Sequence, residues 1–301
     1  MPGIDLHAHT TVSDGGDSPR ALIRKAAGAG LRAIAVTDHD NDSGCPEAVD
    51  EGDKLGIEVV RGVEISCDVD ALSELGFTPR ARPTMHLLGY FIPGSHNPLS
   101  EALTDLQRYR ANRNRMIVER LNDLGIDVTF EEVEAEAGGP GSQIGRPHFA
   151  AALVAKGVVP DYQTAFDKYL AKGARAYVSR RLLTPAEACE LMVRAGVVPV
   201  LAHPFTLNLS TDEVEHFVDD LIPAGLKGIE GYHGDQTSKE QAPYRELGTR
   251  KGLIVSGGSD YHGDMRPDRL LPGGKHGVFV PEGVLDELRA SAKELQADVH
   301  H

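Results

Sequence analysis

The stretch Ile4-Asp5-Leu6-His7-Ala8-His9 alternates apolar and polar residues. That is the two-residue period of a strand, so His7 and His9 project from one face, close enough to share a metal ion. Asp14 follows on the loop that leaves the strand. The same arrangement recurs along the chain. His39 stands between Asp38 and Asp40 at the end of an apolar run that starts at Arg32. Glu64 ends the run from Ile57, His86 lies in the run 84–92, and His203 follows 197–202. Asp260 and His262 close the run from Leu253. The collected set is six histidines and three carboxylates, with no cysteine. Burying such groups unpaired is costly, and binding metal removes the cost. Nine ligands are too many for one ion; they suit two or three divalent ions with a shared carboxylate. Imidazole and carboxylate together suit Zn, Fe or Mn. Three ions and three carboxylates leave a local charge of about +3. Such a pocket can bind phosphate, turn a bridging water into hydroxide and stabilise the attacking and leaving oxygens. Phosphate-ester hydrolysis is the reaction it serves best, and amide hydrolysis is the rival.

Composition bounds the reading. The 301 residues carry a net charge of −14 and 13 histidines. An acidic chain is a poor general coat for nucleic acid, and long duplexes are not expected as partners. The charge is uneven: residues 100–182 sum to +1 and the remainder to −15. No apolar run approaches the ~20 residues of a membrane span. Met-Pro-Gly-Ile-Asp lacks the basic and apolar regions of a signal peptide. Cys45, Cys67 and Cys189 follow no disulfide spacing. A soluble, cytoplasmic protein is expected. Cys67 reads as a small buried hydrophobe, and His216 as a surface residue. His96, His276, His300 and His301 read as loop or terminal residues. His233, at a strand end, is a candidate to touch substrate or protonate the leaving oxygen.

The elements that must position the ligands follow from pattern. Ser18 caps a helix with Pro19 at its first position and Gly30 as its stop. The run from Arg32 has no alternation, so that strand is buried on both faces of a parallel sheet covered by helices. A short helix at 46–55 precedes the strand 57–65. From Asn97 the pattern becomes helical: 98–124, with five arginines in 108–120, then 129–137, a break at Gly138-Gly-Pro-Gly141, 144–155 and 161–171. Residues 100–182 read as an α-helical insertion between 1–99 and 183–301. Alternation then resumes. Thr184-Pro-Ala-Glu187 is a capping box. Strands 197–202, 228–233 and 253–258 are separated by helices 211–222 and 238–250, and a last helix ends near Leu295. The class is α/β, a (β/α) barrel discontinuous in sequence, with its site where loops converge at the strands' C-terminal ends.

The segments I-D-L-H-A-H-T with Asp14, T-D-H-D, G-V-E-I-S, H-L-L-G-Y, L-A-H-P and S-D-Y-H-G closely resemble the polymerase-and-histidinol-phosphatase (PHP) phosphoesterases, trinuclear relatives of the amidohydrolases. The resemblance covers 1–95 and about 183–290. It implies a distorted (β/α)7 barrel. By position it implies a first metal on His7, His9, Glu64 and Asp260, with Glu64 bridging to a second held by His86 and His203. Asp14, His39 and His262 would hold a third. Mn²⁺ is the expected ion, with Zn²⁺ or Fe²⁺ as alternatives. The insertion, with arginines in 110–120, Ile-Gly-Arg146-Pro-His148 and Tyr169 to Val178, is similar to the subgroup acting on nucleotides. Members of that subgroup are nucleoside 3′,5′-bisphosphate phosphatases and 5′-to-3′ exoribonucleases of short RNA. A second phosphate needs its own cationic clamp, which arginine supplies bidentately. Arg110, Arg113, Arg146, His148, Lys172 and Arg175 are the candidates, against the alternative of a solvated helix face. The expected reaction is hydrolysis of the 3′-phosphate of adenosine 3′,5′-bisphosphate by a metal-bridging hydroxide, with short 5′-phosphorylated oligoribonucleotides as further substrates. Histidinol phosphate is the alternative substrate. A non-catalytic module, like the degenerate copies inside polymerases, is the alternative of another class.

Overall fold

The computed structural model describes residues 3–94, 97–139, 144–179 and 181–299. The readings made for His96, Pro140, Gly141, His300 and His301 fall outside them. The chain forms two compact units, residues 1–103 with 182–301, and residues 104–181.

Among its described residues the first unit holds seven strands: β1 (Ile4–Asp5), β2 (Ala33–Val36), β3 (Glu58–Ser66), β4 (His86–Tyr90), β5 (Val198–Leu201), β6 (Gly228–His233) and β7 (Ile254–Gly258). They pair in sequence order. β7 returns to β1 through Leu6 N–H to Gly257 O at 3.3 Å and a parallel bridge between Ala8 and Tyr261. The sheet is therefore nearly closed into a barrel, with helices 19–28, 45–55, 185–194, 211–221, 238–251 and 283–299 between and after its strands. Capping fixes where these helices start. Ser18 Oγ accepts from Ala21 N at 3.2 Å, and Thr184 and Glu187 cap one another. The barrel interior is filled by Ile4, Ala33, Val60, Leu88 and Val200 from the successive strands β1 to β5, and the final helix seals it with Leu285 and Leu288.

One strand corrects the expectation of a parallel succession. β4 runs antiparallel to both β3 and β5, with His86 opposite Ser66. A parallel return needs a crossover, usually helical. The β3–β4 connection offers only the five-residue helix Asp70–Glu74, so it re-enters the sheet at the end where β3 left it. The beginning of β4 thus lies at the same rim as the C-terminal ends of the parallel strands.

The seam between β7 and β1 depends on glycine. A Cβ on Gly258 would lie 2.4 Å from His7 N and 2.5 Å from His7 Cβ, so the backbones approach closer than any side chain permits. Gly258→Ala is expected to destabilise the fold by about 1–3 kcal/mol, the usual cost of overpacking. A thermal melt would register the loss as a lower midpoint, and an unchanged midpoint would refute the seam.

The second unit is helical. Residues 104–123 continue the helix Pro98–Asp123, followed by Phe130–Glu136, Arg146–Ala155 and Tyr162–Ala165. The expected single helix 161–171 is instead one α-turn followed by a π-helical turn, Phe166–Leu170. Ile117, Leu121, Val133, Phe149, Leu153 and Leu170 form its own core, and Thr129 and Glu132 make a capping box. Among the described residues no helix is long and apolar enough to cross a membrane.

Candidate metal centre

All nine anticipated ligands meet at one rim of the barrel. β1 runs out into His7 and His9, with Asp14 on the following loop; β2 runs out into His39. Glu64 lies near the end of β3 and His86 opens the reversed β4. His203 follows β5, and Asp260 and His262 follow β7. Glu64 is the hub, with 1% of its surface exposed. Its Oε1 is 2.7 Å from His203 Nε2 and 2.8 Å from His86 Nδ1. Its Oε2 is 3.1 Å from His39 Nδ1, 3.2 Å from His9 Nε2 and 3.4 Å from His7 Nε2. Asp260 Oδ1 faces the same two nitrogens, 3.2 Å from His9 Nε2 and 3.4 Å from His7 Nε2. Asp14 collects the third set: its Oδ1 is 3.4 Å from His262 Nε2 and 3.5 Å from His9 Nδ1, and its Oδ2 is 3.7 Å from His39 Nε2.

Hydrogen bonding does not account for this crowding. His7 Nε2, His9 Nε2 and Glu64 Oε2 are buried and make no hydrogen bond among the described residues, whereas buried polar atoms are ordinarily paired. His86 Nδ1 and His203 Nε2 face each other at 3.2 Å, a contact that suits two lone pairs sharing a cation. Three or four donors converge within 4.8 Å at several overlapping places: His9–Asp14–His39–His262, His7–Glu64–His203, His7–His9–Asp260 and His39–Glu64–His86. The donor set of imidazole nitrogens and carboxylate oxygens fits divalent metal ions.

Outer contacts aim the imidazoles. His262 Nδ1 is 2.7 Å from the carbonyl of Asp260. A carbonyl only accepts, so Nδ1 carries the proton and Nε2 offers its lone pair to the site. His203 Nδ1 is 2.9 Å from Thr206 Oγ1, whose hydroxyl lies within reach of the carbonyls of Thr84 and His203, giving the same tautomer. His7 Nδ1 is 3.0 Å from Glu230 Oε1. The flanking acids of the T-D-H-D segment are fasteners. Asp38 accepts from Thr10 N and Oγ1 and from Ser13 Oγ at 2.6–2.8 Å. Asp40 accepts from Ser66 N at 2.8 Å and Oγ at 3.0 Å. Three rim residues, Asp40, His203 and Asp260, hold positive φ of 50°, 24° and 53°. Left-handed backbone at a non-glycine residue costs about 1–3 kcal/mol and persists where surrounding contacts enforce it.

The charges are settled by the same contacts. Burial alone would raise the Glu64 carboxyl, but the imidazoles of His39, His86, His7 and His203 around it hold it well below the usual carboxylate range. Burial likewise opposes ionisation of Asp260. His7, with the imidazoles of His233, His9 and His262 beside it, overcomes that opposition. Both carboxylates are ionised at neutral pH.

Several of these contacts were not legible as function. Glu230, 1% exposed, and Arg269 carried no motif. Arg269 grips Asp260 Oδ2 through Nη1 and Asp235 through Nε and Nη2, so Asp260 turns Oδ1 to His7 and His9. His233 is buried, edge-on to His203 and Phe205. Its Nδ1 accepts from Asp235 N at 3.1 Å, which leaves the proton on Nε2, 3.6 Å from Asp260 Oδ2. The six candidates of the second unit behave differently from one another. Arg113 is buried at 7% exposure. Arg146 reaches Leu170 O at 3.3 Å and lies 5.8 Å from the Tyr177 ring centre. His148 Nδ1 accepts from Gly145 N at 3.0 Å, as a helix cap. Arg175 lies 6.0 Å from the Tyr169 ring centre. Arg110 is half-buried and Lys172 exposed.

A barrel whose rim gathers six imidazoles and three acids around one bridging carboxylate defines a metal-dependent hydrolase. The family model described as "PHP domain" matches residues 5–172. A 3′,5′-nucleoside bisphosphate phosphatase of Chromobacterium violaceum is 32% identical over 262 residues, covering 87% of this chain and 88% of its own. A 5′-3′ exoribonuclease of Escherichia coli is 30% identical over 282 residues, covering 91% and 92%. The solved structure of an amidohydrolase from Chromobacterium violaceum, with bound sulfate and no metal, superposes with a TM-score of 0.74 at 30% identity, covering 96% of each chain. The chain belongs to the PHP domain family and is a metal-dependent phosphoesterase.

Proposed function

We propose that this protein hydrolyses the 3′-phosphate of nucleoside 3′,5′-bisphosphates, with two or three divalent ions, Mn²⁺ foremost, held by His7, His9, Asp14, His39, Glu64, His86, His203, Asp260 and His262. The observation that carries the reading is Glu64, one buried carboxylate within 3.4 Å of five imidazole nitrogens. Bound divalent ions supply Lewis acidity toward phosphoryl oxygens and acidify water for in-line attack. The chain's own residues do the rest. Glu64 and Asp260, ionised, hold the imidazoles in register, and outer hydrogen bonds keep lone pairs of His203 and His262 turned inward. Arg269 restrains Asp260. His233 keeps its Nε2 proton on the Asp260 side, which favours a supporting role for it over that of an acid to the leaving oxygen.

The nucleotide substrate is supported by a relative named for that activity and by the cationic residues of the 104–181 unit, with Arg146 the leading candidate for the second phosphate. Arg146→Ala is expected to raise KM for adenosine 3′,5′-bisphosphate about 10-fold or more, the value of one charge-assisted hydrogen bond. Little change is expected with a monophosphate such as histidinol phosphate, and equal effects on both would remove Arg146 from substrate recognition. The reading as a whole is tested by phosphate release from adenosine 3′,5′-bisphosphate with Mn²⁺, compared with histidinol phosphate. Activity that survives both chelation and His9→Ala ends it. Short 5′-phosphorylated RNA is the second substrate to assay, because a relative of similar identity is named a 5′-3′ exoribonuclease.

A further inference from the structure

Glu230, a buried acid outside the candidate ligand set, turns its two oxygens to two different ligand-bearing segments. Oε1 lies 3.0 Å from His7 Nδ1, and Oε2 accepts the backbone N–H of His203 at 2.7 Å. His7 belongs to the group with His9 and Asp260, and His203 lies against His86. Glu230 itself is carried inward by an irregularity of β6: its register against β7 shifts between Glu230 and Tyr232. A bulge of that kind reverses the alternation of side chains, so that Glu230 and His233, three positions apart, reach the same cluster beside His7.

We propose that Glu230 is a positioning residue that sets two candidate ion sites at once, fixing the metal-binding tautomer of His7 and seating His203. The first half follows from valence. Oε2 already accepts the His203 N–H and Oε1 faces Nδ1; a carboxylate oxygen only accepts, so His7 Nδ1 donates, and the Nε2 lone pair is left pointing at Glu64 and Asp260. The second half follows from backbone. His203 sits at φ 24°, and the hydrogen bond to its N–H is one of the contacts that hold it there, with His203 Nε2 directed at Glu64 and His86. Both halves require two acceptors at once, which only a carboxylate offers. Glutamine at 230 has one acceptor and one NH₂. If the NH₂ turns to His203, two donors oppose each other and the loop shifts. If it turns to His7, Nδ1 becomes the acceptor, the proton moves to Nε2, and that nitrogen can no longer bind an ion.

This inference rests on the metal reading above, and the experiment separates the two. Wild-type protein and Glu230→Gln are loaded with Mn²⁺ and dialysed against graded chelator. Folded fraction is checked by circular dichroism, retained ions are counted by elemental analysis, and ¹⁵N shifts of the His7 imidazole report its tautomer. Glu230→Gln is expected to bind its weakest ion about 10–100-fold less tightly, as is usual when an outer-shell partner is lost, and to show an altered His7 tautomer or a displaced His203 amide signal. A merely structural role would lower the melting temperature and leave ion count, affinity and tautomer in the folded fraction unchanged, and that result overturns the proposal. Should the wild type itself retain no ion, the metal reading fails instead. If Glu230→Gln does not fold, Glu230→Asp, which keeps the charge and is one methylene too short for both contacts, is measured by the same criteria.

Discussion

Glu64→Gln is expected to lower phosphate-ester hydrolysis by more than about 100-fold, beyond what loss of an outer-shell partner costs. The substitution preserves volume and removes the charge that faces five imidazoles. An amide presents one oxygen and one NH₂. Oε1 and Oε2 each face at least two ring nitrogens, so whichever side receives the NH₂ meets lone pairs that would otherwise be given to a cation. Both kcat and ion content should fall, because the same oxygens organise every neighbouring ligand. Steady-state kinetics of the variant, with ion content measured on the same sample, decide the matter. Full activity at reduced ion content would mean that Glu64 stores ions without serving the reaction.

Removal of divalent ions is expected to destabilise the protein as well as silence it. The rim buries His7, His9, Glu64 and His203 with facing lone pairs, so the folded chain without cations carries an uncompensated desolvation cost. An ion present at about 100 times its dissociation constant stabilises the native state by about 2.7 kcal/mol per site. For a chain of 301 residues that is about 4 °C in melting temperature per site. Melting curves with and without a chelator, and again after Mn²⁺ is restored, should show a reversible shift of that order. Coincident curves would leave the facing imidazoles without a cation to explain them.

Sequence carried the ligand set because strand periodicity and strand ends are local properties. His7 and His9 sit two apart on a strand. His39, Glu64, His203, Asp260 and His262 each terminate an apolar run, and a run of that kind can be read without knowing its neighbours. The helix starts at Ser18, Thr129 and Thr184 were legible for the same reason: a cap is a contact within three residues. What escaped depends on pairings distant in sequence. The reversal of β4 is decided by how residues 67–85 cross the rim, and hydropathy does not record direction. Glu230 looked like one more polar residue in a short strand. Its meaning comes from His7, which stands 223 positions away. Arg269 is likewise ordinary in sequence and is defined by Asp235 and Asp260. The π-helical turn after Ala165 replaces a regular helix for which the spacing of Phe166 and Leu170 gave no warning.

The backward strand has one more effect. Because the chain leaves β3 at Ser66 and re-enters at His86 on the same side, residues 67–85 make the connection without traversing the sheet, and Phe77 packs edge-on against Phe217 of the helix 211–221. A β4 running with its neighbours would begin at the far end of the barrel, and the imidazole of His86, its first residue, would be carried away from Glu64.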